Sequence, residues 1–426
     1  MAIQLPPLIT SPNAILIGVD QQKKSEWSSR DSIEECIELA RTANITVTNT
    51  LIQRRERPAT RTYLGTGKLD ELAVELELND YDIILTDDEL LPNQHKYLEK
   101  TFNKKVIDRS ALILDIFANR AHTYEAQLQV ELAQLEYMLP RLTGLWTHLS
   151  RQSGGIGTRG PGEKQLEVDK RQVRHRIGLL KKDIEKVRQH RSLTREKRQT
   201  TPVPVAALIG YTNAGKSTLM HALSQAEVLI EDKLFATLDP TTRQIVLPNN
   251  ELMLLTDTVG FIQKLPHQLI SAFKSTLEEL QFADLLIHVV DASDVKIKEK
   301  INTTEKLLKE LKLEQKPRIL VLNKIDLVPA NHRRALQDRF LDYPIVVGIS
   351  AAKKFQIPAL LAQVEQLFGQ NHVIQVFHVP YNRMDIVSLI HSKGRVISEN
   401  YTDEFASIEV DINKIIADKI MGLLGK

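Results

Sequence analysis

Cysteine is almost missing from this chain. Cys36 is the single one among 426 residues, so no internal disulfide can form, and a thiol in a reducing compartment is the expected setting. Net charge is also missing: Lys and Arg number 56 against 54 Asp and Glu. Bulk charge therefore points to no nucleic acid or membrane partner. No apolar run reaches the length of a membrane span, and Met1–Pro7 lacks the charged start and long apolar core of a secretory leader. A soluble, cytoplasmic protein is expected. The length allows about two to four domains.

Against these absences stand four short strings, in one order. Gly210-Tyr211-Thr212-Asn213-Ala214-Gly215-Lys216-Ser217 fits the phosphate-cradling pattern G-x-x-x-x-G-K-[ST]. The apolar run Val205–Ile209 before it reads as a buried strand, and Ser217–Leu223 after it as a helix start. Such a loop aims backbone N–H groups and a helix N-terminus at phosphate. Gly210 and Gly215 permit the tight wrap because they lack a Cβ. Lys216 is placed to reach the β- and γ-phosphates, and the Ser217 hydroxyl to ligate Mg²⁺. Next, Met253–Thr256 reads as a strand that delivers Asp257 toward that metal, followed by Thr258, Val259 and Gly260. The Gly260 backbone N–H can sense the γ-phosphate.

The third and fourth strings read a base. Pro317–Leu322 is a predicted strand, and Asn323-Lys324-Ile325-Asp326 follows it. Guanine offers N1–H and N2–H donors that the Asp326 carboxylate can accept together. Adenine lacks that pair and would leave the carboxylate unsatisfied, which is costly. Asn323 ties the loop, and the Lys324 stem can lie across the base. The strand Ile345–Ile349 ends at Ser350, Ala351 and Ala352, whose backbone can donate to the guanine O6.

Together the strings resemble the P-loop GTPases of the translation-factor class. Phe235-Ala236-Thr237-Leu238-Asp239-Pro240-Thr241 lies where such proteins keep their first switch, and with Asp257–Ile262 it resembles the HflX family of the Obg-HflX superfamily. A glycine-rich stretch, Ser153–Glu167, resembles that family's signature upstream of its GTPase domain. The resemblance implies that Phe235, Ala236, Thr237, Leu238 and Asp239 line the nucleotide, and that Thr237 joins Ser217 on Mg²⁺. Lys216, Thr237 and Gly260 are the expected catalytic groups. Phe261 stands where Ras-like GTPases keep the glutamine that orients attacking water, and a phenyl ring cannot do that. Slow intrinsic hydrolysis, stimulated by a partner, is expected. The resemblance names that partner as the large (50S) ribosomal subunit and its rRNA, bound by a monomer. It implies the splitting or rescue of stalled ribosomes under stress. Asn213 raises K⁺ as a further cofactor. Its alternative role is to favour the turn conformation.

Around the GTPase core, an α/β domain with a small parallel sheet is expected over residues 1–120. Its signals are strands at Ala14–Val19, Ile45–Leu51 and Tyr81–Thr86, and helices at Ser32–Ala43, Gly67–Leu78 and Pro92–Phe102. Leu64-Gly65-Thr66-Gly67-Lys68 lacks the full P-loop spacing and reads as a turn and helix start, with a second nucleotide site as the alternative. Residues 121–198 read as a helical hairpin, its apolar stripes Ala126–Tyr137 and Leu166–Arg195 packing on each other. Between Arg159 and Arg198 lie 14 basic residues, 6 acidic ones and no aromatics. With the resemblance, this favours contact with an RNA backbone over a merely solvated face, without base stacking. Gly155–Gly160 also matches G-x-G-x-x-G, but neither a preceding strand nor a ribose-binding acid supports a dinucleotide site. The GTPase domain is expected over 199–372. The remainder, 373–426, reads β-α-β-β-α as a small α+β domain. Two rival functions remain at this level. One is a regulatory GTPase that binds a protein target, and the other an RNA-remodelling NTPase with a second ATP site near the N-terminus.

Overall fold

The computed structural model describes residues 11–21, 28–144, 161–199, 203–224, 234–235, 241–264, 279–340, 342–368, 372–402 and 404–424. The chain gathers into two compact units. The first comprises Met1–Arg191, Asp232–Asp239 and Phe261–Thr276, and the second Ser192–Glu231, Pro240–Gly260 and Leu277–Lys426.

In the first unit four strands form one parallel sheet: β1 (Asn13–Asp20), β2 (Thr46–Arg54), β3 (Ile83–Thr86) and β4 (Lys105–Asp108), in the order β2-β1-β3-β4. Strands flanked on both sides in a parallel sheet are covered on both faces and read as continuous apolar runs. Ala14-Ile15-Leu16-Ile17 and Ile83-Ile84-Leu85 are such runs, and all are buried. Helix Ser29–Thr42 starts at a reciprocal cap between Ser28 and Asp31, which satisfies two backbone donors that the first turn leaves open. Strand β4 and the helix Arg109–Arg120 were not among the expected elements. Four residues are too few to show a period, and the helix buries Leu112, Ile113, Leu114, Ile116 and Phe117 almost all round.

Two helices, Tyr124–Met138 and the long Pro161–Gln199, stand in the region where the hairpin is expected. Leu128 and Leu132 of one pack with Leu180 of the other, and Ile177, Ile184 and Val187 flank the contact.

The second unit is built on a six-stranded sheet. Its strands are β5 (Val205–Ile209), β6 (Thr241–Val246), β7 (Leu252–Asp257), β8 (Leu285–Asp291), β9 (Arg318–Asn323) and β10 (Val346–Gly348). The order is β10-β9-β8-β5-β7-β6, parallel except for the edge strand β6. Ala206, Leu208, Leu255, Ile287, Val289, Ile319 and Val321 form its core. The order reverses beside β5, because β6 and β7 lie on one side of it and β8, β9 and β10 on the other. In open α/β sheets, ligands bind at the carboxyl ends of strands at such a point. The strands β11 (His372–Pro380), β12 (Gly394–Tyr401) and β13 (Phe405–Asn413) form a separate antiparallel sheet, ordered β11-β13-β12. Helices Met384–Lys393 and Lys414–Leu424 cover one face, over Phe377, Val379, Ile408 and Val410. No helix among the described residues is long and apolar enough to cross a membrane.

Candidate nucleotide site

Strand β5 ends at Ile209, and the helix Lys216–Ser224 begins seven residues later, so Gly210–Gly215 forms the loop between them. Two glycines in it have backbone angles that L side chains rarely adopt: φ is 140° at Gly210 and 90° at Gly215. A Cβ would also collide, 2.1 Å from the Val289 carbonyl oxygen at Gly210 and 2.2 Å from the Asn323 side-chain nitrogen at Gly215. Asn213 takes the left-handed conformation too, with φ 58°, a turn geometry that Asn tolerates better than most residues.

Lys216 lies inside this wrap and is buried. Its ammonium donates to the Gly210 carbonyl at 3.1 Å and the Tyr211 carbonyl at 2.9 Å. Burial pushes the group down to about 8, against the opposing pull of Asp257. A cation desolvated in this way gains more from an arriving polyanion than an exposed one would. The Ser217 hydroxyl donates to the Asp257 carboxylate at 2.7 Å. A hydroxyl beside a strand-end carboxylate is the donor set expected to hold Mg²⁺, so these residues fit the ion. Thr258 fixes the end of β7 through its hydroxyl, which donates to the Leu208 carbonyl at 2.7 Å. At Gly260 a Cβ would lie 2.9 Å from both the Lys216 ammonium nitrogen and the Thr212 Cα. Only glycine allows so close an approach to the phosphate loop.

The base loop is joined to the phosphate loop by one side chain. The Asn323 amide donates to the Ala214 carbonyl at 2.9 Å, and its oxygen accepts from the Ala351 N–H at 3.0 Å. Lys324 stands in the left-handed region, φ 58°, with its ammonium 2.8 Å from Asp291 at the end of β8. The Asp326 carboxyl is half-buried, with Lys353 3.1 Å away. The Ser350 hydroxyl bond, followed by Lys353, holds that carboxyl below its usual range. Asp326 is therefore an anion at neutral pH, as acceptance from two guanine N–H groups requires. Ile325 and Ala351 are buried beside it.

Asp291 and Lys353 were missed in the sequence. Asp291 carried a readable signal, because it ends an apolar strand at the ligand-binding edge of a parallel sheet. Ala236, Thr237, Leu238 and Asp239 lie outside the described residues, as does the glycine-rich stretch Ser153–Gly160. Phe235 belongs to the first unit, where its ring meets that of Phe117 edge-on at 4.6 Å. Gly65 caps helix Thr66–Leu78 with φ −75°, and Lys68 pairs with Glu71 at 2.6 Å. That loop has the geometry of a helix start, without the left-handed wrap of a phosphate cradle.

A phosphate loop and a guanine-type base loop, locked together at the switch point of a parallel sheet, define a P-loop GTPase. Family models agree along the chain. Residues 205–324 match the 50S ribosome-binding GTPase family, 30–118 the GTP-binding GTPase N-terminal family, and 120–198 the GTP-binding GTPase middle region. The chain is 44% identical over 415 residues to GTPase HflX of Caldanaerobacter subterraneus, covering 96% of this chain and 93% of that protein. Against GTPase HflX of Escherichia coli K12 it is 39% identical over 391 residues, covering 91% of each. The chain belongs to the HflX family of GTPases, and its reaction is the hydrolysis of GTP. Among solved structures, a Sulfolobus solfataricus GTP-binding protein in complex with GDP aligns with a TM-score of 0.44 and 25% identity, over 84% of this chain and 99% of that one.

Proposed function

We propose that this GTPase acts on the large ribosomal subunit, splitting or rescuing stalled ribosomes under stress, in the cytoplasm and as a monomer. The observation that carries the switch part is the Asn323 bridge from Ala214 to Ala351. It makes occupation of the base loop and order of the phosphate loop one event. The ribosomal part is supported by the 50S ribosome-binding description of the family matched over 205–324. The long helix supports it too, with Arg171, Arg174 and Lys182 exposed. The parts we assign are residues 1–120 and 121–198 for contact with the particle, 199–372 for GTP, and 373–426 as a small appended domain.

In this reading Gly210–Ser217 binds the phosphates and Asn323–Asp326 with Ser350–Ala352 reads the guanine. Lys216 holds its charge at the β- and γ-phosphates. Bound Mg²⁺ would be held by Ser217, oriented by Asp257, and by Thr237, and it supplies neutralising charge there. The Gly260 N–H reports whether the γ-phosphate is present. Water is the nucleophile. Phe261 is buried and supplies no water-orienting group, so acceleration falls to the particle. Asn213, at φ 58° beside the phosphates, is the residue we assign to K⁺, and equal rates in K⁺ and Na⁺ would remove that role.

The test is co-sedimentation with purified 50S particles. Pelleting with a non-hydrolysable GTP analogue and none with GDP is expected. Nucleotide-independent loss of pelleting would favour the rival reading, a regulatory GTPase with a protein target.

A further inference from the structure

Two hydroxyls beside the phosphate loop are firmly bonded. Ser217 donates to the Asp257 carboxylate and Thr258 to the Leu208 carbonyl, each at 2.7 Å. Thr212, inside the loop, is different. It is 5% exposed, and its hydroxyl is buried with no partner among the described residues. A buried hydroxyl left unpaired lowers stability, so one held in a binding loop calls for a partner that arrives with the ligand.

The surroundings of Thr212 say where that partner comes. A Cβ built on Gly260 would lie 2.9 Å from three atoms: the Lys216 ammonium nitrogen, the Thr212 Cα and the Thr212 Cγ2. Thr212 therefore stands where the buried cation of the loop meets the glycine read as the γ-phosphate sensor. Its methyl and hydroxyl share one Cβ, so a single rotation about χ1 brings the hydroxyl to the Gly260 side. Thr212 also lines a cavity of about 120 Å³ with Asn213, Asp291, Asp294 and Lys300, room enough for several waters. All of these residues belong to the second unit.

We infer that Thr212 is a catalytic residue for GTP hydrolysis, the group that orients the attacking water. The phenyl ring of Phe261 offers water no hydrogen bond of that kind, and a hydroxyl does. The Thr212 oxygen accepts from the water O–H, while its own O–H donates to a γ-phosphate oxygen. Those two bonds turn a lone pair of the water toward phosphorus. The water oxygen then bonds to the γ-phosphorus as the bond from phosphorus to the β–γ bridging oxygen breaks. GDP leaves with that electron pair. One water proton passes to a phosphate oxygen, and the other stays on the attacking oxygen. Thr212 keeps its own proton throughout, so its contribution is orientation. The inference rests on the reading of Gly210–Ser217 as the phosphate loop.

The test uses the full chain, with single-turnover hydrolysis of GTP at saturating protein and nucleotide affinity by direct binding. Thr212→Val keeps the shape and removes the hydroxyl. Its hydrolysis rate should fall about ten-fold or more, while GTP and GDP affinities stay within about two-fold. Its melting temperature should hold or rise, because the lost group has no partner in the resting protein. Thr212→Ser keeps the hydroxyl and should retain the rate within about three-fold. An unchanged rate in Thr212→Val overturns the inference. So does a loss of GTP affinity with the saturated rate intact, because the hydroxyl would then bind phosphate in the ground state. A Thr212→Ser rate as low as that of Thr212→Val overturns it as well, because the methyl rather than the hydroxyl would matter. Lys216→Ala tests the loop alone. Undiminished GTP affinity in that variant would remove the phosphate-loop reading and the role of Thr212 with it, whatever the Thr212 variants do.

Discussion

Asn323 contacts two loops through one amide, donating to Ala214 and accepting from Ala351. In the proposed reading, base specificity is therefore a property of Asp326. In Asp326→Asn the acceptor pair becomes one acceptor and one donor, which suits xanthine rather than guanine. GTP affinity should drop by about two orders of magnitude or more, and XTP should become the better substrate. Unchanged GTP preference in a competition assay would mean another residue reads the base. A second residue matters for stability alone. His288 sits in β8, fully buried, with Nδ1 3.9 Å from Glu305 and its ring 6.4 Å from Tyr343. Burial, with Arg318 and Lys216 nearby, pushes the imidazole down to about 3. The unfolded chain therefore binds a proton at mildly acid pH that the folded chain refuses. The stability this group contributes is complete above its unfolded value of 6.5 and is lost as pH falls toward 3. At about pH 5 the loss amounts to about 2 kcal/mol. Urea unfolding of His288→Leu against the parent should show their difference shifting by about that amount between roughly pH 7.5 and pH 5. A constant difference would place the acid sensitivity elsewhere. Asp326 was legible because its motif follows a predicted strand. His288 was not, since a histidine in an apolar strand gives no sign in sequence of being fully buried.

Among the elements, the long helix Pro161–Gln199 carries both a core face and a charged one. Leu180 is buried against Leu128 and Leu132. Part of the positive charge is used within the unit: Arg176 makes a two-pronged pair with Glu131 at 2.8 Å, and Lys181 lies 2.8 Å from Glu136. Arg171, Arg174 and Lys182 are exposed. If these three meet phosphates, replacing all of them with Gln should reduce the salt dependence of 50S binding. The slope of log K against log salt should fall by roughly two to three, and the melting temperature should hold. A weaker complex with an unchanged slope would mean that they act through folding. The apolar stripes of both hairpin helices were readable because their spacing repeats every turn. The pairing of Arg176 and Lys181 with acids on the neighbouring helix was not, because sequence shows the charges but not which of them face each other. Likewise β4 and helix Arg109–Arg120 escaped notice. One is too short for a period, and the other is apolar nearly all round.

At the scale of the whole molecule, the order of motifs pointed to the GTPase class, and the six-stranded sheet, parallel but for its edge strand, supplies the switch point on which the proposed nucleotide site stands. What sequence could not give is the company kept by the segment after Gly260. Phe261–Lys264 lies in the first unit with Asp87, Asp88 and Arg109, about 170 residues upstream in the chain. Such distant pairings leave no local pattern. The most direct measurement is the rate of GTP hydrolysis by the full chain with and without purified 50S subunits, at saturating GTP and Mg²⁺. The account predicts a slow reaction alone and an increase of about ten-fold or more on the particle. A rate that is fast alone, or unmoved by subunits to which the protein demonstrably binds, would contradict it.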